Sequence, residues 1–268
     1  MEKSIKRPIV RYSKGGATRT DDFLVAESPV EFRLGGVPIA VLMRTPGHDE
    51  ALALGFALSE SIVLHPDEFV GVERVASVDH DDRWDIVLAD GVNVDPEQFR
   101  RNLYTTSSCG LCGKASIDAV RIAARVVEPG PELDEQTIIA FPDRMREAQA
   151  EFDATGGIHA AAAFTASGEL LGVCEDIGRH NAVDKLIGVL ARGRWPLSDI
   201  VLTVSGRVSF EIVQKAAVVG IPIVCGVSAA SSLAAELGEE MGMTIVGFLR
   251  DGGFNVYAGP ERLVGQDR

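Results

Sequence analysis

Cysteine is scarce in this chain: Cys109, Cys112, Cys174 and Cys225 are the four cysteines among 268 residues. Four is too few for a disulfide-stapled scaffold in a chain of this length, so the fold must rest on a hydrophobic core. A Cys-x-x-Cys pair in such a chain reads as redox, metal-binding or catalytic chemistry. No apolar run reaches the ~20 residues of a membrane span, and the segment Met1 to Pro8 lacks the apolar centre of a secretory signal. Both absences lead to the expectation of a cytoplasmic protein with no membrane partner. Positive charge is short as well, 26 Lys and Arg against 39 Asp and Glu, for a net charge of −13. A duplex-binding surface displaces counterions with a basic stripe. None is present, so nucleic acid is discounted as a partner. Internal repeats and low-complexity tracts are also absent.

What is present is a chain that is 46% hydrophobic, enough for one large domain or a medium and a small one. Its character changes near residue 105. Before that point, Phe23–Ala26, Val30–Leu34 and Val37–Met43 read as strands, with Gly35-Gly36 as a hairpin turn. Glu50–Ile62 has helical spacing, and Val70–Val78 and Trp84–Leu88 read as strands again. Residues 1–104 are therefore expected to form a small α+β domain. From 105 to 268, helices are expected at Cys112–Val127, Pro142–Phe152, Asn181–Leu190, Phe210–Val219 and Ser232–Met241. Strands are expected at Ile158–Phe164, Leu170–Cys174, Ile200–Val204, Ile221–Val227 and Met243–Leu249. Near-continuous apolar strands separated by helices predict an α/β domain with a mostly parallel sheet.

Five segments could carry chemistry. Thr105 to Lys114 contains Cys109-Gly110-Leu111-Cys112 just before an expected helix, whose positive end and free N–H groups would stabilise a thiolate. It could be a dithiol, half of a zinc site, a persulfide carrier, or two buried thiols packing as small apolar groups. Glu175 to Lys185 joins a strand to a helix with dense charge. There His180 and Asp184 share a helical face, as proton handlers or as part of a salt-bridged helix start. Ser205-Gly206-Arg207 and Ser228 to Ser231 each follow a strand and open a helix, where N–H groups and a guanidinium can hold an anion. A single such junction is usually only an N-cap. Two at adjacent strand ends match the ligand edge of open α/β sheets. Phe248-Leu249-Arg250-Asp251-Gly252-Gly253 ends the last strand, and its spacing alone favours a plain turn. His159 in its alanine-rich strand reads as a core residue, and His48 as a helix cap. Cys174 and Cys225 lie in strand-like runs and read as core.

Taken together, these segments resemble the formate dehydrogenase accessory sulfurtransferase family, FdhD, from about Thr105 to Tyr257. The resemblance rests on Ser107 to Lys114, Gly157-Ile158-His159-Ala160-Ala161, Glu175 to Lys185, Ser205 to Lys215 and Gly247 to Arg250. It implies a cytidine deaminase-like catalytic domain. It further implies a sulfurtransferase that takes sulfur from a cysteine desulfurase and passes it to the molybdenum bis-guanylyl dinucleotide cofactor, as formate dehydrogenase requires. The sulfur carrier would be Cys109, with Cys112 its neighbour, and the cofactor stretch would be Phe248 to Gly253. Ser205, Gly206, Arg207, Ser228, Ser231 and His180 would also face the cofactor. A cofactor chaperone without sulfur transfer is the alternative. Zinc deaminases need His-x-Glu and Pro-Cys-x-x-Cys. Here His159 is followed by alanines and the cysteine pair lacks its proline, so deamination is rejected and no zinc is expected. A homodimer is the default expectation for oligomeric state.

Overall fold

A computed structural model of the chain describes residues 2–76, 82–100, 127 and 130–265 (for Arg100, the backbone alone). Cys109, Cys112, the boundary between residues 104 and 105, and the helix expected to begin at Cys112 lie outside the described residues.

Strands β1 (Ser4–Ser13) and β2 (Gly16–Val25) pair with each other as a separate antiparallel hairpin. The sequence predicts a strand only at Phe23–Ala26. Lys6, Arg7 and Pro8 interrupt any apolar alternation in β1, and both strands stay largely exposed. Strand β3 (Ser28–Leu34) turns Val30, Phe32 and Leu34 inward, the two-residue period of a half-buried strand. Strand β4 (Val37–Arg44) returns through Gly35 and Gly36, left-handed at φ 57° and 79°, the conformation of a primed hairpin turn. Helix α1 (Asp49–Ser59) follows, then β5 (Phe69–Val75) and β6 (Asp82–Leu88). These strands form one sheet in the order β4-β3-β6-β5, with β6 parallel to β3.

Beyond α2 (Glu97–Arg100) come β7 (Leu133–Asp134) and three short helices, α3 (Glu135–Ile139), α4 (Phe141–Glu147) and α5 (Ala150–Thr155). The single helix predicted over Pro142–Phe152 is thus two. The chain breaks at Ala148 and Gln149, and the N–H groups of Glu151 and Phe152 donate to the Glu175 carboxylate at 2.9 Å each. A carboxylate at a helix start satisfies orphan donors and matches the dipole, a gain that apolar periodicity does not register.

A six-stranded sheet is built from β8 (His159–Thr165), β9 (Leu170–Asp176), β10 (Ile200–Val204), β11 (Ile223–Gly226), β12 (Thr244–Arg250) and β13 (Gly253–Ala258), in the order β13-β12-β11-β10-β8-β9. Helices α6 (Arg179–Ala191), α7 (Phe210–Val218) and α8 (Ser232–Glu240) lead from β9 to β10, β10 to β11 and β11 to β12. The α/β class is as predicted, but the expected mostly parallel sheet is corrected. Only β10, β11 and β12 pair in parallel, and the β10–β8, β8–β9 and β12–β13 pairings are antiparallel. β8–β9 and β12–β13 are hairpins with short turns, and a parallel neighbour needs a crossover of a dozen residues or more. Strand β14 (Leu263–Val264) pairs with β7.

Strand alternation divides the core. Ala160, Ala162, Phe164, Val201, Ile223 and Val246 pack under Ile138, Phe141 and Met145 on one face. Ala161, Ala163, Leu202, Val224 and Ile245 face α6, α7 and α8 on the other. This second core continues into Val30, Phe32, Leu52, Leu54 and Leu58, so one apolar cluster joins residues from either side of position 105. Its tightest point is the approach of α1 to α6. A Cβ on Gly55 would sit 1.7 Å from the Asp184 carbonyl oxygen, and one on Gly188 1.9 Å from that of Ala51. Only glycine at both positions allows this approach.

Candidate functional site

The parallel strands β10, β11 and β12 all end at one edge of the large sheet. β8 runs the opposite way, so His159 at its start reaches the same edge, paired with Asp176 at the end of β9. Carboxyl edges of α/β sheets are where ligands bind. The loops there are laced together by backbone bonds: Ser228 N–H donates to Gly206 (3.3 Å), Val208 N–H to Ala229 (3.0 Å), Ser231 N–H to Val208 (3.0 Å) and Phe248 N–H to Ser228 (2.9 Å).

The sequence-predicted residues divide by what they touch. Ser205 Oγ accepts the Ala160 N–H at 2.9 Å, and Gly206 lies beneath the His159 ring. Arg207 is exposed, with no hydrogen-bond or ion-pair partner among the described residues. Ser228 is half-buried in its turn. Ser231 uses its hydroxyl as the N-cap of α8, accepting from Ala234 N–H at 3.2 Å, the ordinary role of such a residue. Leu249 is fully buried in the core, so its side chain contacts no surface ligand. Phe248 is left-handed at φ 53° and 36% exposed, with the Arg250 guanidinium 5.4 Å from its ring centre. Arg250, Asp251, Gly252 and Gly253 form an exposed hairpin turn. The structure therefore gathers Ser205, Gly206, Arg207, Ser228 and Phe248 at one edge, with Arg250–Gly253 projecting beyond it and Leu249 turned away.

His180 occupies the first turn of α6. Its Nε2 is sealed from solvent, makes no hydrogen bond among the described residues and lies 3.9 Å from Glu211 Oε2. Burial, and then the nearby positive charge of Lys215 and Arg179, pushes its pKa from 6.5 down to about 3. His159 is also lowered, first by burial and then by Arg179. Asp184 is not the partner of His180. It accepts from Ser59 Oγ at 2.8 Å and from Lys215 Nζ at 3.0 Å, and Lys215 also reaches Glu60 at 2.9 Å. Lys185 likewise holds the buried Asp176 at 2.7 Å. Much of the dense charge of Glu175–Lys185 is thus spent inside the fold.

The neutral His180 gives the chain a pH dependence with a definite sign. Unfolded, the group titrates near 6.5; folded, near 3. Between those values the unfolded chain binds more protons, so stability is full above about pH 6.5 and declines as pH falls toward 3. Urea unfolding at neutral and acid pH should show a smaller acid loss for His180→Gln than for the natural chain. Equal losses would mean that this imidazole is not the group responsible.

Sequence patterns did not single out the groups completing this edge. Arg179 Nε and Ser209 Oγ are buried there without hydrogen-bond partners among the described residues. A cleft of about 590 Å³ opens at the edge where β8 begins and β10 ends, with His159, Ser205 and Val227 on the sheet side and Arg146, Gln149 and Phe152 on the helical side. The break between α4 and α5 creates that helical wall, and the break follows from the tertiary bond to Glu175. Cys174 and Cys225 are buried free thiols, as predicted for core residues. Burial pushes the Cys174 thiol up to about 11, and that of Cys225 upward as well. Among the described residues, no group of three His, Cys, Asp or Glu side chains is placed to hold a metal ion. No helix there is long and apolar enough to cross a membrane.

Fold and site together define an α/β protein with a ligand-sized cleft at the strand-end edge of its large sheet. Comparison with known proteins narrows that class: the model of the FdhD/NarQ family matches residues 25–264, and this chain belongs to that family. It is 50% identical over 267 residues to a Streptomyces avermitilis protein named sulfur carrier protein FdhD, covering 96% of this chain and 95% of that one. Proteins of the same name from Mycobacterium tuberculosis and Sulfolobus acidocaldarius are 45% identical over 251 residues and 39% over 259. Those matches cover 90% and 96% of this chain, and 91% and 98% of the relatives. A crystal structure from Desulfotalea psychrophila, of a chain assigned as a formate dehydrogenase accessory protein, shares the fold. Its TM-score is 0.75 at 23% identity, over 98% of this chain and all of that one.

Proposed function

We propose that this chain carries sulfur as a persulfide on Cys109, taking it from a cysteine desulfurase and delivering it to the molybdenum bis-guanylyl dinucleotide destined for formate dehydrogenase. The name sulfur carrier protein, borne by relatives up to 50% identical over nearly the whole chain, supports the transfer role. The thiol inventory is the structural observation that carries it. Sulfur exchange requires an accessible thiolate. Cys174 and Cys225 are sealed and held un-ionised, which leaves the role to Cys109 and Cys112.

On acceptance, the Cys109 thiolate attacks the terminal sulfur of the donor persulfide. The donor S–S bond breaks, the donor leaves as a thiolate, and Cys109 holds the transferred sulfur. On delivery, the new S–S bond breaks and its electron pair stays with Cys109. The sulfur leaves as a neutral atom and becomes sulfide by taking two electrons from the metal centre of the cofactor. The cofactor is a substrate here. Arg207, whose guanidinium has no partner among the described residues, and the turn at Ser228 suit its phosphates. Phe248 and the exposed turn Arg250–Gly253 suit its rings. His180 is uncharged, and its Nε2 is sealed from solvent, so that atom does not reach the substrate.

Mass spectrometry after incubation with a cysteine desulfurase and cysteine should show a gain of one sulfur atom, removed by a thiol reductant. Absence of that gain would defeat the carrier reading and favour a chaperone that holds the cofactor without transferring sulfur.

A further inference from the structure

Gln149, between α4 and α5, is 3% exposed and lines the cleft beside the loop edge, yet its side-chain amide has no hydrogen-bond partner among the described residues. An amide that lines a cavity without a protein partner keeps its donor and acceptor available to a ligand there. An amide offers a donor and an acceptor side by side. Its complement is a ring edge with N–H and C=O adjacent. The neighbouring wall suits a flat ring, because Phe152 lines the cleft with the Arg146 guanidinium 4.5 Å from its ring centre. Aromatic faces of this kind stack on heterocycles. The wall is also thinned at Gly156 and Gly157, beside which there is open space or backbone only. Arg146 is already paired with Asp153, so the cleft holds no free guanidinium and favours a neutral group over a phosphate.

We infer that this cleft seats the amino-oxo-pyrimidine edge common to guanine and pterin rings, with Gln149 reading that edge and Phe152 covering its face. The phosphates then lie outside, toward Arg207 at the same edge. This inference rests on the proposed cofactor substrate and adds the residues that select its ring.

Calorimetry with GDP and, separately, with a simple pterin tests it and tells the two ring sources apart. At least one of them should bind the full chain. Gln149→Met, close in shape, should weaken that binding about tenfold to a hundredfold, the loss of one or two hydrogen bonds. Phe152→Leu, on the cleft wall, should weaken it as well and serves where Gln149→Met does not fold; thermal melting reports which variants fold. Unchanged affinity in the folded variants overturns the inference. So does failure of both ligands to bind the natural chain, and if the persulfide still forms, the sulfur-carrier reading stands alone. Loss of the persulfide with binding that still depends on Gln149 would sink the carrier reading and leave the ring site in place.

Discussion

Cys109→Ala should leave the chain folded and reduce formate dehydrogenase activity to the level of a strain lacking this gene. The substitution removes one sulfur atom and leaves the backbone free to adopt its natural course. Both described cores close over residues such as Val30, Leu186, Val224 and Phe164. The chemistry has no such tolerance. Without a thiolate there is no nucleophile for the donor persulfide, and the remaining described thiols are buried and un-ionised. Complementation of a deletion strain, with formate oxidation as the readout, checks this. Full activity of the variant would move the carrier role away from Cys109. Cys112→Ala in parallel separates a second carrier, also inactive, from a helper that only slows the exchange.

The largest effect on stability is expected from Lys215→Met. Lys215 reaches Ser59, Glu60 and Asp184 at 2.9 to 3.0 Å, and so ties α1, α6 and α7 together. Burial alone would pull both Lys215 and Asp184 toward their neutral forms, but the two carboxylates hold the lysine protonated and push its pKa upward. Methionine keeps the volume and deletes the charge, stranding Asp184 in the core. Breaking one side of a buried pair costs about 3–5 kcal/mol, which for a chain of this size is a fall in melting temperature of roughly 10 °C. The partner substitution gives the decisive control. Adding Asp184→Leu to Lys215→Met should recover part of the loss, because the stranded charge is gone. If Lys215→Met melted like the natural chain, or if the double variant were no better than the single one, the network would not be a main tie between these helices.

The elements with strong local patterns were legible in the sequence. Alternation in Val30–Leu34, the Gly35-Gly36 turn, the helical spacing of α1 and the apolar runs of β10, β11 and β12 all stand where residue pattern put them. Features decided by distant partners were not legible. The hairpin strand β1 has no apolar face to announce it, and the split between α4 and α5 depends on Glu175, more than twenty residues away. The antiparallel edges of the large sheet follow from hairpin closure that a list of apolar runs does not encode. At the site, sequence spacing placed the loops after β10 and β11 at one edge. Spacing could not say that the Ser231 hydroxyl is used up in capping, that Leu249 points inward, or that Asp184 belongs to Lys215 rather than to His180. Gln149 left no signal, since only the folded cavity shows that its side chain lines the cleft.

The glycine contact between α1 and α6 bears on how the protein can move. With Gly55 against Asp184 and Gly188 against Ala51, the two helices touch backbone to backbone and leave no lubricating layer of side chains. His180 rides on α6, one end of a rod clamped along its length to the amino-terminal sheet through α1. A hinge opening across that seam would have to tear main chain from main chain. The described scaffold behind the strand-end loops therefore keeps its shape, and movement at this edge falls to the loops themselves.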